Sequence, residues 1–436
     1  KPLSGATKKI LISFLDSLQE KTTYTLNFGN SIVDNNEGNK MNFFSYTFST
    51  GPTLDSLYLK GNIQDAFNLE TEEYLSLQLY RIDSVYNDSI IFNYKPTYLA
   101  NTLDSTNYRF NNLRKGKYVL IALKDLSDDY LFDPFYDKIA FYDSVISLPQ
   151  DSLIDLRLFK EEIPLKWDEP YFINSEKIGF GYFGKLDINK ISLITKIPDS
   201  VNFLFTKEKD KDTINFWLSK NSIDSLQFKF KEVDTIKTLS VKFDRSKDSI
   251  IDSLSISNIT KSVIDLTEKF KLSSDLPINK ISDSLIFIRN IDSILIPFKS
   301  SINSNLDEIM LDFDVKPQDD YSIYILPNAI IDIRGGTNDT LSFKTLSQSL
   351  EDYGNVYLNV IRDTESKYIL QMVNSNSEII KEYNNITNDG IYNFELIPPG
   401  KYLFRMIKDD NGNKIWDTGN YLQKIQPEDV YYFSNE

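Results

Sequence analysis

The chain has 436 residues and a net charge of −15, and it contains neither cysteine nor histidine. Disulfides, the common Cys/His zinc sites and histidine-based hydrolytic triads are thereby excluded. Its Lys and Arg are scattered without a basic stripe, which argues against binding the phosphate backbone of nucleic acid.

A hydrophobic fraction of 41% supports several cores, and 26 Tyr with 29 Phe favour strands over helices. No apolar run approaches the roughly 20 residues that a membrane-crossing helix needs. In chain order, short apolar or alternating runs recur at 24–28, 118–123, 201–205, 226–230, 285–288, 321–326 and 402–407. Asp, Asn, Ser, Gly and Pro bound them, as in antiparallel sandwiches. Only 259–272 carries a helical pattern.

One stretch occurs twice. Tyr108-Arg-Phe110, Gly116-Lys117-Tyr118, Lys124-Asp125 and Phe132-Asp133 return as Tyr392-Asn-Phe394, Gly400-Lys401-Tyr402, Lys408-Asp409 and Trp416-Asp417, always 284 positions later. A fixed register over 26 residues marks two copies of one domain. Within it Tyr118, Leu120 and Ala122 face one way and Val119, Ile121 and Leu123 the other. In the second copy Tyr402, Phe404 and Met406 match the first face. Arg405 interrupts the other, so that face meets solvent or a partner. The Gly-Lys-Tyr step before each strand suits a tight turn of positive φ, and Gly335-Gly336 reads as a hairpin turn.

A weaker duplication sets Tyr24-Thr-Leu26, Asp34 and Phe48-Ser-Thr50 against Tyr321-Ser-Ile323, Asp332 and Phe343-Lys-Thr345. About 70 strand-like residues, from Asp252, precede Tyr321, whereas 23 precede Tyr24. The first copy is therefore expected to lack its leading strands, and the natural protein to extend further N-terminally. The boundaries read as 1–52, 53–160, 161–250, 251–348 and 349–436.

Three sets of residues carry possible chemistry. Asp409, Asn411, Asn413, Asp417 and Asn420 place oxygens at alternating loop positions, with the Ile415 carbonyl between them. Calcium takes six to eight such oxygens. Asp125, Ser127, Asp129 and Asp133 hold the same places in the first copy, and the bland alternative is a metal-free turn capped by Asx side chains. Tyr130, Phe132, Phe135 and Tyr136 crowd one segment too densely for every ring to face inward. They are candidates for partner binding, with core packing as the alternative. Tyr421 and the rings at 431–433 form a second such group. Acidic clusters such as Asp314/Asp319/Asp320 read as solvated faces.

The residues at 18–51 resemble the S-layer type of bacterial Ig-like domain, and the Gly116 and Gly400 regions resemble transthyretin-like, or carboxypeptidase-regulatory-like, modules. The combination is similar to Ig-like-domain-containing exported lipoproteins of Bacteroidota. The resemblance implies an all-β chain of tandem β-sandwich domains, Ig-like and transthyretin-like, duplicated. Residues 1–52 would be the C-terminal part of an Ig-like domain, 251–348 its complete counterpart, 53–160 and 349–436 the transthyretin-like pair, and 161–250 a further sandwich.

It further implies export to the outer membrane, on the cell surface or the periplasmic face, with attachment only through an N-terminal lipid. The role would be a non-enzymatic, protein-binding accessory subunit of an outer-membrane complex, in protein export or β-barrel assembly. Structural calcium is the one cofactor expected. Asp-Ser or Asp-Thr before an aliphatic residue resembles the O-glycosylation acceptor of Bacteroidota at Ser17, Ser56, Ser84, Ser144, Ser152, Ser249, Ser284 and Thr340. The local alternative is a turn that starts a strand. The rival functions are a carbohydrate-binding or adhesin-type surface protein and a carboxylate-dependent hydrolase.

Overall fold

The computed structural model describes residues 11–14, 17–34, 36–41, 44–84, 86–150, 152–174, 176–186, 188–209, 211–220, 223–232, 235–242, 253–362 and 366–433. Their regular structure is β-strand, broken only by short 3₁₀ turns. The chain is all-β, built of tandem sandwiches, and it divides into two compact units. The first comprises Lys1–Glu162, Thr364–Thr387 and Tyr402–Glu436; the second comprises Ile163–Asp363 and Asn388–Lys401.

In the first unit, Leu57–Asp65 lies between Asn107–Leu113 (antiparallel) and Leu156–Leu158 (parallel). A second sheet runs Tyr98–Asn101, Ser76–Arg81, Gly116–Lys124, Lys138–Phe141, with Ile146–Leu148 also on Gly116–Lys124. Alternation along Gly116–Lys124 sends Tyr118, Leu120 and Ala122 into a core with Leu59, Ile63, Leu77, Leu79 and Phe110. Ile121 and Leu123, on the opposite face, join Ile91, Phe132, Ile139, Phe159 and Tyr421. The strand is buried on both faces, which is why it reads as one unbroken apolar run. A third sheet in this unit, Ile379–Ile386, Lys367–Asn374, Tyr402–Asp409, Val430–Tyr432, comes from the second copy.

The ribbon Thr23–Gly29 with Phe44–Ser49 also belongs to this unit. None of the described residues before Leu59 is buried. Tyr24 stacks on Phe48, and Phe14 packs at an angle against Phe48, in partly exposed surroundings instead.

The second unit holds two aromatic and aliphatic cores. Trp167, Phe180, Phe216, Phe228 and Phe230 fill one, between a five-stranded and a three-stranded sheet. Phe270, Leu272, Ile288, Leu311, Tyr321 and Ile323 fill the other, between two four-stranded sheets. Gly354–Val360 pairs with Gly390–Ile397 in this unit. The helical pattern at 259–272 is overturned, because strands Val263–Ile264 and Phe270–Ser274 occupy it and send Ile264, Phe270 and Leu272 into this core.

The strand registers make the duplication explicit. Lys60 opposes Arg109 as Tyr357 opposes Asn393, and both ladders slip at the same place. There Asn112 and Leu396 take φ of 57° and 55°. In the ribbon Tyr24 opposes Phe48, and in the second unit Tyr321 opposes Thr345. Phe48 therefore corresponds to Thr345 and not to Phe343. Two residues are a full strand period, so the slipped match preserves every inward and outward face.

The positive-φ reading of the Gly-Lys-Tyr step fails at Gly116, which lies outside the left-handed region. The Tyr118 ring folds back over it, its hydroxyl donating to the Arg114 carbonyl at 2.8 Å. A Cβ on Gly116 would meet that ring at 3.3 Å. Gly335 does turn through φ of 87°, closed by its N–H to the Asp332 carbonyl.

Candidate functional site

The two acidic loops close in the same way. Asp125 takes the N–H groups of Ser127 and Asp128 on Oδ1 and that of Tyr130 on Oδ2. Asp409 takes Gly412 and Asn413 on Oδ1 and Lys414 on Oδ2. The backbone turns left-handed at matching residues, Asp128 (φ 58°) and Tyr130 (64°) against Gly412 (77°) and Lys414 (68°). A second, buried carboxylate pins each loop. Asp137 accepts from Leu126 and Asp133, and Glu428 from Asp410 and Asp417, at 2.8–3.0 Å. Burial, and then repulsion from the two other loop carboxylates, holds both Asp137 and Glu428 above the usual carboxylate range.

Asp125 and Asp409 are 284 positions apart, but Asp137 and Glu428 are 291 apart, as are Phe141 and Tyr432 in the next strand. Seven residues have entered the second copy between the loop and its pin. This inserted stretch fastens the second copy to the first. Thr418 Oγ1 donates to the Lys160 carbonyl at 2.6 Å, and the Tyr421 N–H donates to Glu161. Lys424 reaches Asp88 at 2.9 Å, and Gln426 Nε2 reaches the Phe141 carbonyl at 2.9 Å. Tyr421, wholly buried, sets its ring edge-on to Phe141 at 5.4 Å.

Nearby, Phe67 of the first copy enters a socket on the second. Arg405 lies over its ring at 4.2 Å, Trp416 packs at 4.7 Å, and the Tyr432 hydroxyl donates to its carbonyl at 2.7 Å. Arg157 pairs with Asp429 beside it. The charge that interrupts the apolar face of the second copy thus meets the first copy, with Gln371 accepting from Arg405 Nε at 2.7 Å.

The metal candidates sit within these loops. The Asn411 and Asn413 amides donate to Asp417 Oδ2 at 2.6 and 2.7 Å, and Asn420 Oδ1 accepts from Gln423, away from the Asp409 turn. Ile415 donates its N–H to Asn413 Oδ1. In the first copy Ser127 Oγ donates to Asp125, Asp129 accepts from Leu131, and Asp133 accepts from Phe135. Among the described residues no three His, Cys, Asp or Glu side chains are grouped as a metal site requires.

The aromatic candidates separate. Phe132 is only 3% exposed and packs on Phe92 at 5.5 Å, so its assignment to partner binding is corrected to core. Phe135 is half-buried, Tyr136 is exposed, and Tyr130 lies against Lys95 at the edge of a cleft.

That cleft, about 1120 Å³ in volume, escaped the sequence reading. Its floor is the outward face of Leu57–Asp65 and Asn107–Leu113, carrying Lys60, Asn107, Arg109 and Asn111. The ribbon supplies a wall through Asn27 and Asn30, and Asn101, Tyr74 and Tyr130 complete it. Seven separated segments build it, so no contiguous motif announces it.

Of the glycosylation candidates, Ser17, Ser56, Ser84, Ser144, Ser152, Ser284 and Thr340 are all exposed and outside strands. Ser249 lies outside the described residues.

No family model and no curated protein matches the chain. Solved structures share its β-sandwich construction at low identity. Escherichia coli α2-macroglobulin, domains MG0-NIE-MG1, is 11% identical with a TM-score of 0.21 over 42% of this chain and 71% of that one. SGBP-B of the Bacteroides ovatus mixed-linkage glucan utilization locus, in complex with a mixed-linkage heptasaccharide, is 10% identical, TM-score 0.18, covering 87% and 93%. The major pilin subunit BcpA of Bacillus cereus is 9% identical, TM-score 0.16, covering 86% and 96%. Likeness at this level concerns the fold alone.

Proposed function

We propose that this chain is a non-enzymatic, exported surface protein that serves as a protein-binding scaffold, an accessory subunit of an outer-membrane complex. The observation that carries this reading is the fastening of the second copy to the first by the inserted stretch at Thr418, Tyr421, Lys424 and Gln426. A surface fixed in advance loses less freedom when it binds. Beside that fastening, Tyr136, Tyr142 and Val145 remain exposed, at 60%, 39% and 51%. Aromatic side chains of this kind anchor protein interfaces.

The carboxyls raised by burial, Asp137, Glu161 and Glu428, each accept backbone N–H groups, which is a structural role. The exposure of the seven described candidates supports their use as glycan acceptors. The intact mass of native protein exceeding the bare polypeptide mass by sugar increments would bear this out; the bare mass would end it.

Gentle detergent extraction from native membranes, followed by identification of co-migrating proteins, tests the scaffold role. A defined partner is expected, lost when Tyr136 and Tyr142 are replaced by Ala. Recovery of the protein alone would refute the role.

A further inference from the structure

We propose that the cleft of the first unit binds an acidic oligosaccharide, its carboxylate seated on Lys60 and Arg109 and its hydroxyls on the surrounding asparagine amides. Lys60 and Arg109 stand directly opposite on neighbouring strands. Like charges in that position repel, and among the described residues neither forms an ion pair. Arg109 is held ready: its Nε donates to Asn111 Oδ1 at 2.8 Å and its guanidinium lies over the Tyr58 ring at 4.8 Å. The terminal nitrogens of the fork remain for a carboxylate, the geometry in which arginine binds such groups bidentately. The chain as a whole has 63 acidic and 48 basic residues, whereas the cleft is lined by two basic residues and one acidic one, Asp155.

The amides are also fixed at one end. Asn27 Nδ2 donates to the Leu99 carbonyl at 2.8 Å, and Asn101 Oδ1 accepts from Leu103 at 2.6 Å. The other end of each has no protein partner among the described residues. An amide offers one acceptor and two donors, which suits paired sugar hydroxyls. Asn30 Oδ1 is buried with no partner among the described residues. Tyr74 and Leu103 line the cleft with φ of 59° and 53°. Non-glycine residues held in this region gather at ligand sites.

The duplication supplies an internal control. The second copy keeps the same strand pairing with Tyr357 in place of Lys60, Asn393 in place of Arg109 and Ile391 in place of Asn107. Its acidic loop keeps the left-handed turn with Lys414 in place of Tyr130. The fold of the module therefore does not require the polar groups of the cleft.

The test is titration calorimetry of the full chain with tetragalacturonate and a hyaluronan tetrasaccharide, against cellotetraose and maltotetraose. At least one acidic probe is expected to bind, and the neutral probes to bind about 10-fold more weakly or not at all, a difference near 1.4 kcal/mol. The double variant K60Y/R109N, which borrows the residues of the second copy, should keep the wild-type melting temperature and lose about 10-fold in affinity. Asn111→Ala should lose a smaller factor. Absence of binding by both acidic probes, equal binding of the neutral ones, or unchanged affinity in the double variant would overturn the proposal.

Discussion

The first and second copies of the repeated module agree where the backbone must turn and differ on parts of their surface. Both close an acidic loop with one aspartate that takes three N–H groups and pin it with a second carboxylate. They differ in the exit from that loop, where the second copy carries seven extra residues, and on the outward face of one strand pair, where only the first carries facing cations. What is common is what the fold needs, and what differs is where to look for function.

Breaking the fastening should have the largest effect. Tyr421→Ala removes a wholly buried ring from contact with Phe141. The loss should be about 3–5 kcal/mol in denaturant unfolding, as for other buried aromatic truncations. A loss below about 1 kcal/mol would mean that the insert only rests on the first copy. Next come the loop-closing aspartates. Asp125→Ala and Asp409→Ala each leave three N–H groups without their acceptor, at about 1–3 kcal/mol. The comparison predicts matching losses in the two copies; a loss in one alone would break the equivalence.

A pH dependence follows from the pins. Asp137 and Glu428 are held above their ordinary range in the fold. Their contribution is thus fully present below the unfolded value, about 3.9 for Asp and 4.3 for Glu, and is lost as pH rises through the raised folded value. Between pH 7 and pH 4 the melting temperature of the wild type should gain on that of D137N/E428Q. A constant difference would contradict the assignment. The smallest effect concerns calcium. The Asn411 and Asn413 amides already satisfy Asp417, so hydrogen bonds alone predict one melting temperature in calcium and in chelator. A rise in calcium would instead place an ion on Asp409, Asn411, Asn413 and Asp417, with those amides turned to present oxygen.

Much of this was readable before the fold was known, because a match over 26 residues at a constant offset of 284 stands out even where the surfaces diverge. The strand faces at Tyr118–Leu120–Ala122 were legible for the same reason: alternation is local. The insert was not, since the match ends at Asp133/Asp417 and resumes at Asp137/Glu428 with the offset enlarged by seven, too briefly to recognise. Phe132 was misjudged because its burial depends on Phe92, forty residues away in sequence. The calcium motif and the hydrogen-bonded turn use the same residues at the same spacing, so composition does not distinguish them. The cleft was invisible because Asn27, Lys60, Tyr74 and Arg109 lie far apart in sequence.

The central claim is that the inserted stretch of the second copy holds the first. Hydrogen exchange in wild type and Tyr421→Ala addresses it most directly. The Ile139 N–H, which bonds the Phe159 carbonyl beneath Tyr421, should lose protection in the variant. Amides of Asp320–Ile325, in the other unit, should keep theirs. Unchanged protection at Ile139 and Phe159 would contradict the account.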